Sequence, residues 1–467
     1  MAVILIVAVL LFGLLLVSTE NVNRMNKAAV AMFMGVSCWM VYIAHGSAFL
    51  VSEHQLDFLS YLSENPVDNF SVKEFIAGKV FLQYAMRGAG VVLFLLAAMS
   101  IVEVLNNNGC LDFVREWLRT RSPRRFLWIL AILTFLLSAN LDNLITVCLM
   151  LPIMHSLLSG DKARMIYGSV IVVAANLGGA FTVIGDVSSL SLWVNGLVTP
   201  TTYTFLLALP CLAAFVTVVL LVQRTLPARL SWVQAAPPYR GDDTVLTRSQ
   251  RLLMLLVGIG GLWFIPTFHR ITLLPPFVGA LCVLALLWIV NELCNRSLLS
   301  SDQMVKKRQP LALQYVNIQN ILFYIGMTLA FGAVQETGVL TTFFNWLTGY
   351  LKADIFSISA ATGLVSAVVG NIPSILGNIA MFSQDVVRQH PDFDTLFAEN
   401  GAFWPLLSFT TSMGGTLFCI GTMAGWSLMR MEGVTLRWYI RHMAGKVLAG
   451  WLVGLSVFYV LLETMMS

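Results

Sequence analysis

Long apolar blocks, separated by short polar and basic segments, dominate the chain, with little of the 3.6-residue alternation of a water-soluble helix. A spanning helix needs about 20 apolar residues. Spans are predicted near 2–18, 27–51, 87–106, 166–196, 203–222, 251–267, 272–291, 316–335, 400–429 and 443–463. Two more apolar stretches, 126–157 and 355–384, are interrupted midway by small and polar residues. Each of their arms is about 14 residues, roughly 21 Å of helix, which is too short for a 30 Å hydrocarbon core. They are predicted to be re-entrant hairpins.

Composition agrees with this pattern. Of the 467 residues, 58% are hydrophobic and only 11% are charged, and mean hydropathy is +0.80. A water-soluble domain is excluded. The first block lacks a basic leader and a small-residue cleavage site, so it is expected to be a retained helix. The seven cysteines are scattered without CxxC spacing, which implies neither zinc nor a disulfide framework. The net charge of +4 speaks of topology rather than nucleic acid.

Cytoplasmic loops carry excess Lys and Arg. All but six of the 28 basic residues (Lys73, Lys79, Arg87, Arg270, Lys352 and Arg388) fall on one side of the predicted topology. This places both termini outside the cytoplasm, with the hairpins entering from opposite faces.

Two patterns occur twice in the same order. Ser138-Ala-Asn-Leu-Asp142-Asn143 marks the first hairpin tip and Ser366-Ala-Val-Val-Gly370-Asn371 the second. Downstream come Gly178-Gly179 with Ile184-Gly185, and Gly414-Gly415 with Ile420-Gly421. The expected fold is an all-α polytopic membrane protein, an inverted-topology repeat with two re-entrant hairpins and two broken helices. Its parts are an extra helix (1–26), a first repeat (27–222), a linker and extra helix (223–271) and a second repeat (272–467). Paired glycine-interrupted segments in inverted halves point to a secondary transporter with a midplane site. The glycine pairs are expected to break the helices and free backbone carbonyls.

Carboxylates inside a membrane are functional by default. Asp142 at a hairpin tip and Asp186 after a glycine-broken loop are expected to face one cavity. Ser138, Asn140, Asn143, Thr146, Asn176, Thr182, Ser188 and Ser189 surround them, with Ser366 and Asn371 from the second half. Such hard oxygen ligands suit Na+ or protons, with Na+ placed at Asp142 and Asn143. One carboxylate that takes either ion is a minimal antiport device. The competing reading is that Asp186 caps the following half-helix. Ser374 and carbonyls near Gly414 are expected to add neutral oxygens, and Gly370 is read either as a vacated carboxylate position or as a tight-turn glycine. Glu336 is expected to be solvated and His45 to be a satisfied core group.

With these residues in hand, the chain resembles the NhaD-type Na+/H+ antiporter family of the ion-transporter superfamily. The similarity runs from about Gly88 to Tyr459 and is strongest at Leu141–Leu144 and over AANLGGAFTVIGDVSSLSLW at 174–193. In the second half it rests on VNIQNILFYIG at 316–326, SAVVGNIPS at 366–374 and GGTLFCIG at 414–421. The resemblance implies functional roles for Ser138, Asp142, Asn143, Asn176, Asp186, Ser188, Ser189, Ser366 and Asn371. It also implies a homodimer in the inner membrane that moves Na+ or Li+ against H+ without a cofactor. Where the family usually has Asp before the second-half Asn, this chain has Gly370. Two alternatives accompany this reading: Na+-coupled anion uptake on the same fold, and a transport-incompetent homologue. No nucleotide loop or nucleophile–base motif is found, so enzyme activity is not expected.

Overall fold

The computed structural model describes residues 1–63, 65–66, 68–118, 120, 122–226, 246–295, 318–347, 354–382 and 394–466. Eight of the described helices are long and apolar enough to cross a membrane. In chain order the principal helices are α1 (Ala2–Ser18), α2 (Lys27–Ala44), α3 (Asn69–Asn107), α4 (Pro123–Ser138), α5 (Asn143–Leu157) and α6 (Asp161–Phe181). Then come α7 (Val187–Val194), α8 (Pro200–Gln223), α9 (Arg248–Thr272), α10 (Pro276–Cys294) and α11 (Ile318–Gln335). The last five are α12 (Ile355–Val369), α13 (Asn371–Met381), α14 (Phe403–Leu417), α15 (Met423–Glu432) and α16 (Leu436–Met465). The protein is an all-α polytopic membrane protein.

Local chemistry sets many of the starts. Proline, whose missing N–H costs nothing in a first turn, opens α4, α8 and α10. Asn26, Asp354 and Thr422 cap α2, α12 and α15 by accepting from Ala28 N, Ser357 N and Gly425 N. The α2 helix stops at Ala44, short of the expected 51, and a separate helix follows at Gly46–Glu53. By contrast α3 begins 18 residues earlier than the expected 87. Lys73, Lys79 and Arg87 depress the hydropathy of that stretch without breaking the helix. Hydropathy reports only the apolar part of a helix that continues beyond it.

Packing between the halves is reciprocal. The second helix of each half lies on the first helix of the other, α11 on α2 and α3 on α10. Each hairpin's first arm packs on its own broken helix, α4 on α6 and α12 on α14. Its second arm packs on the distal piece of the other half's broken helix, α5 on α15 and α13 on α7. One such crossing is tied by Glu432 of α15, whose carboxylate meets His155 at 2.9 Å and Arg164 at 3.4 Å. The inner segment of α6 is 78% buried, whereas those of α9, α10 and α16 are 22 to 28% buried. So α6 runs through the middle of the bundle, and α9, α10 and α16 form its periphery.

The glycine pairs do not break their helices. Helix α6 continues through Gly178-Gly179 to Phe181, and α14 through Gly414-Gly415 to Leu417. The non-helical segments follow, at 182–186 and 418–422. The glycines instead permit close approach. A Cβ on Gly178 would lie 2.3 Å from the Phe135 carbonyl oxygen, and one on Gly414 1.8 Å from that of Gly363. Backbone cannot yield at such distances, whereas helical glycines are otherwise tolerated at about 1 kcal/mol each. Gly178→Ala and Gly414→Ala are therefore expected to give no folded protein by fluorescence-detected size exclusion. Gly445→Ala, where a Cβ would meet nothing within 4 Å, should express and melt at or above the wild-type temperature.

Candidate functional site

Each hairpin tip is stitched to its broken helix by one serine. The Ser138 hydroxyl donates to the Ala175 carbonyl at 2.6 Å, and the Ser366 hydroxyl donates to the Thr411 carbonyl at 2.7 Å. Both serines are fully buried. Gly185 and Gly421, just past each helix end, press on the same tips. A Cβ there would lie 2.7 Å from the Ser138 carbonyl oxygen and 2.3 Å from that of Ser366. Ser138 and Ser366 thus hold backbone in place with their hydroxyl protons.

The two carboxylates are held in different ways. Asp142 caps α5, one oxygen accepting from Leu144 N at 2.9 Å and Ile145 N at 3.4 Å. Asp186 occupies the N-cap position of α7 but makes no side-chain capping bond. Its Oδ2 accepts from Asn371 Nδ2 at 2.8 Å, across the two halves. Capping was weighed for Asp186 and falls to Asp142. Both residues are buried, at 6% and 4% exposure.

Asparagines complete the connection. Asn143 donates to Asn176 Oδ1 at 3.0 Å, and Asn176 donates to Thr416 at 2.9 Å and Thr422 at 3.2 Å in the second half. Gly179 sits at the centre: a Cβ there would lie 3.4 Å from the Cβ atoms of both Asn143 and Asp186. The first tip, the first break and the second tip therefore converge.

The remaining expected residues divide. Thr146 donates to the Leu141 carbonyl at 3.3 Å, Thr182 to Ala139 at 2.5 Å and Ser189 to Asp186 at 2.9 Å. These hydroxyls serve backbone carbonyls freed at the tip and at the break. The Ser188 hydroxyl, two residues from Asp186, is buried and has no partner among the described residues. Asn140 does not join the cluster; it accepts from the Trp263 indole of α9. Ser374 turns back to donate to the Gly370 carbonyl at 2.7 Å. Oxygen atoms free to receive a cation are Asp142 Oδ2, Asp186 Oδ1, Asn143 Oδ1 and Ser188 Oγ, none of which accepts a hydrogen bond among the described residues.

Outside the cluster two expectations are corrected. Glu336 is buried, between His54 Nε2 at 2.6 Å and the Tyr84 hydroxyl at 2.7 Å. His45 is exposed, its ring 3.1 Å from the Val41 carbonyl. Thr416 and Thr422 were missed, although Ile420-Gly421-Thr422 aligns with Ile184-Gly185-Asp186 and carried the signal. Tyr324, hydrogen-bonded with Ser191 at 3.1 Å, and Tyr203, which meets Ser408 at 2.6 Å, had no signal in the sequence.

Comparison with known proteins places the chain. Residues 1–390 match the family model described as citrate transporter. The chain belongs to the citrate-transporter family. Among its relatives is "Sodium/proton antiporter 2" of Arabidopsis thaliana, 29% identical over 452 residues, covering 96% of this chain and 98% of that protein. "Sodium/proton antiporter 1" of the same plant is 28% identical over 441 residues, 94% of this chain and 69% of that one. "Na(+)/H(+) antiporter NhaD" of Halomonas elongata is 26% identical over 384 residues, 75% of this chain and 71% of that protein.

Within this citrate-transporter family member the two tips differ in backbone as well as side chain. Asp142 has φ −42° and ψ 143°, while Gly370 has φ +107° and ψ 161°. That second conformation is essentially reserved for glycine. Of the two readings of Gly370, the turn requirement is the one with geometric support. Gly370→Asp is expected to lower stability by about 1–3 kcal/mol, read as a drop in melting temperature in detergent. Wild-type melting would refute the backbone requirement.

Proposed function

We propose that the protein is a secondary transporter exchanging Na+ or Li+ for H+ by alternating access, with Asp142 and Asp186 as the shared cation and proton site. The observation that carries this is the convergence of two buried carboxylates with four unengaged oxygens where hairpin tips meet broken helices. Such oxygens are hard donors suited to a small monovalent cation. The names of the plant and bacterial relatives point the same way. The reading includes two inverted halves (27–222 and 272–467), both termini outside the cytoplasm of an inner membrane, and a homodimer.

The family description names citrate, and one observation favours anion uptake: Lys27 lines a cavity at the second tip. Against it, the charged side chains at the site itself are carboxylates, which repel a carboxylate substrate. Tracer uptake of citrate driven by a Na+ gradient separates the two readings.

Proteoliposomes acidified inside should lose their proton gradient when Na+ or Li+ is added outside. Absence of that response in the wild type would defeat the antiporter reading. Asp142→Asn should abolish exchange and change stability by less than about 1 kcal/mol, because Asn is as good an N-cap as Asp. Asp186→Asn should also abolish exchange while keeping an oxygen for Asn371. Ligand linkage supplies an independent check. At 100 times Kd a bound cation stabilises by about 2.7 kcal/mol, so Na+ should raise the melting temperature of the wild type and not of Asp142→Asn.

A further inference from the structure

A small cleft of about 30 Å3 reaches the second hairpin tip, and site residues Asn371 and Thr422 form part of its lining. Val17 and Ser18 of the extra N-terminal helix, Glu20 just after it and Lys27, the first residue of α2, also line it. Lys27 Nζ stands over the rings of Phe323, at 5.5 Å, and Trp426, at 5.9 Å. Glu20 holds two cations at once, Lys27 at 3.9 Å on one oxygen and Arg430 at 3.7 Å on the other. Neither distance is within hydrogen-bond reach. The pairs are loose, while the Glu20 and Lys27 side chains keep only 17% and 16% exposure.

The charges have consequences for an ion arriving through this cleft. One carboxylate against two cations leaves a local excess of one positive charge. Charges lining a narrow cleft, here Glu20 and Lys27 with Arg430 just outside it, set the local concentration of mobile ions. A carboxylate at the mouth attracts a cation, and a tethered ammonium competes with that cation for the same oxygens. The aromatic faces of Phe323 and Trp426 give the ammonium a resting place close to the carboxylate.

Building on the antiporter reading, we propose that Glu20 and Lys27 form the charge filter of the ion pathway. Glu20 is the carboxylate at which an entering cation first lodges, and Lys27 is the tethered cation it must displace. Lys27 thereby sets how much Na+ is needed to load the deeper site. This assigns a specificity role to the junction between the extra helix α1 and the start of α2.

The test does not depend on transport. Val369 is half-buried in the cleft beside the tip, and Val369→Cys places a thiol there in the full-length chain in nanodiscs. Labelling rates are measured with a cationic (trimethylammonium) and an anionic (sulfonate) methanethiosulfonate, and the rates of the unsubstituted chain are subtracted. The ratio of cationic to anionic rates should rise about fivefold or more with Lys27→Gln and fall by a similar factor with Glu20→Gln. The charge exchange Glu20→Lys with Lys27→Glu keeps the net charge and should return the ratio to near the parent value. This guards against misfolded single variants. Ratios that do not move, or a Val369→Cys chain that takes up no label above the unsubstituted one, would overturn the filter. In the proton-exchange assay Lys27→Gln should lower the half-saturating Na+ about threefold or more. Failure of the wild type in that assay defeats the antiporter reading, whereas the labelling ratio judges the filter separately.

Discussion

Two helices that stop and restart inside a membrane leave carbonyls and amides that lipid cannot satisfy. The arrangement of the two hairpins answers that constraint. At the first break the Thr182 hydroxyl reaches the Ala139 carbonyl of the hairpin tip, and Ser138 of that tip reaches back to Ala175. At the second, Asn371 N donates to the Gly421 carbonyl at 3.3 Å, and the Trp426 indole donates to Ile420 at 2.8 Å. Glycines at 178, 185, 414 and 421 remove the side chains that would hold these backbones apart. Once the tips are drawn onto the breaks, whatever side chains the tips carry must share the space beside the break. The position of the site follows from backbone hydrogen bonding before any ion is considered.

The two halves use this scaffold with different side chains. Asp186 in the first corresponds to Thr422 in the second, and Asp142 to Gly370. Thr422 keeps its capping bond to Gly425 N, whereas Asp186 forgoes capping and takes Asn371. The first half therefore supplies both acids, and the second supplies an amide that holds Asp186 and hydroxyls that hold Asn176. Gly370 shows that this division is partly enforced by conformation. With φ at +107°, that tip turns through a region that a carboxylate-bearing residue adopts only under strain.

Much of this was legible in the sequence because it was written twice. Hairpins, breaks and both acids came from a repeated order of small and polar residues in apolar blocks. What was not legible was which bond each group makes. Asp142 and Asp186 both precede a run that starts a helix, and nothing in either string tells which one caps. That depends on Asn371, 185 residues away in the chain. The glycine pairs were misread for a related reason. A glycine inside a helix signals either weakness or a close neighbour, and only the carbonyls of Phe135 and Gly363 decide between them. The place of Glu336 at a span end points to solvent and says nothing of His54 and Tyr84, which bond its carboxylate. Asn140 was grouped with the acids through proximity in sequence, although its partner Trp263 belongs to a helix outside the repeat.

The unequal tethering of the two acids bears on how an antiporter of this build would work. Asp142 is bonded to amides of its own helix, so a change in its occupancy is absorbed within the first hairpin. Asp186 is bonded to the other half. A hydrogen bond to an ionised carboxylate is roughly twice as strong as one to a neutral group, so the Asn371 contact strengthens or weakens with the charge state of Asp186. A carboxylate offers about four acceptor positions and Asn371 takes one, which leaves room for a cation without breaking the link. Proton and cation therefore differ in what they do to the contact: the proton removes the charge that Asn371 recognises, and the cation leaves that charge in place. On the proposed antiporter reading, two ions that compete for one oxygen but differ in their effect on a contact between halves would provide the differential interaction that any ligand-driven conformational change requires. Placed on Asp142 alone, the same competition would have no direct hold on the second half.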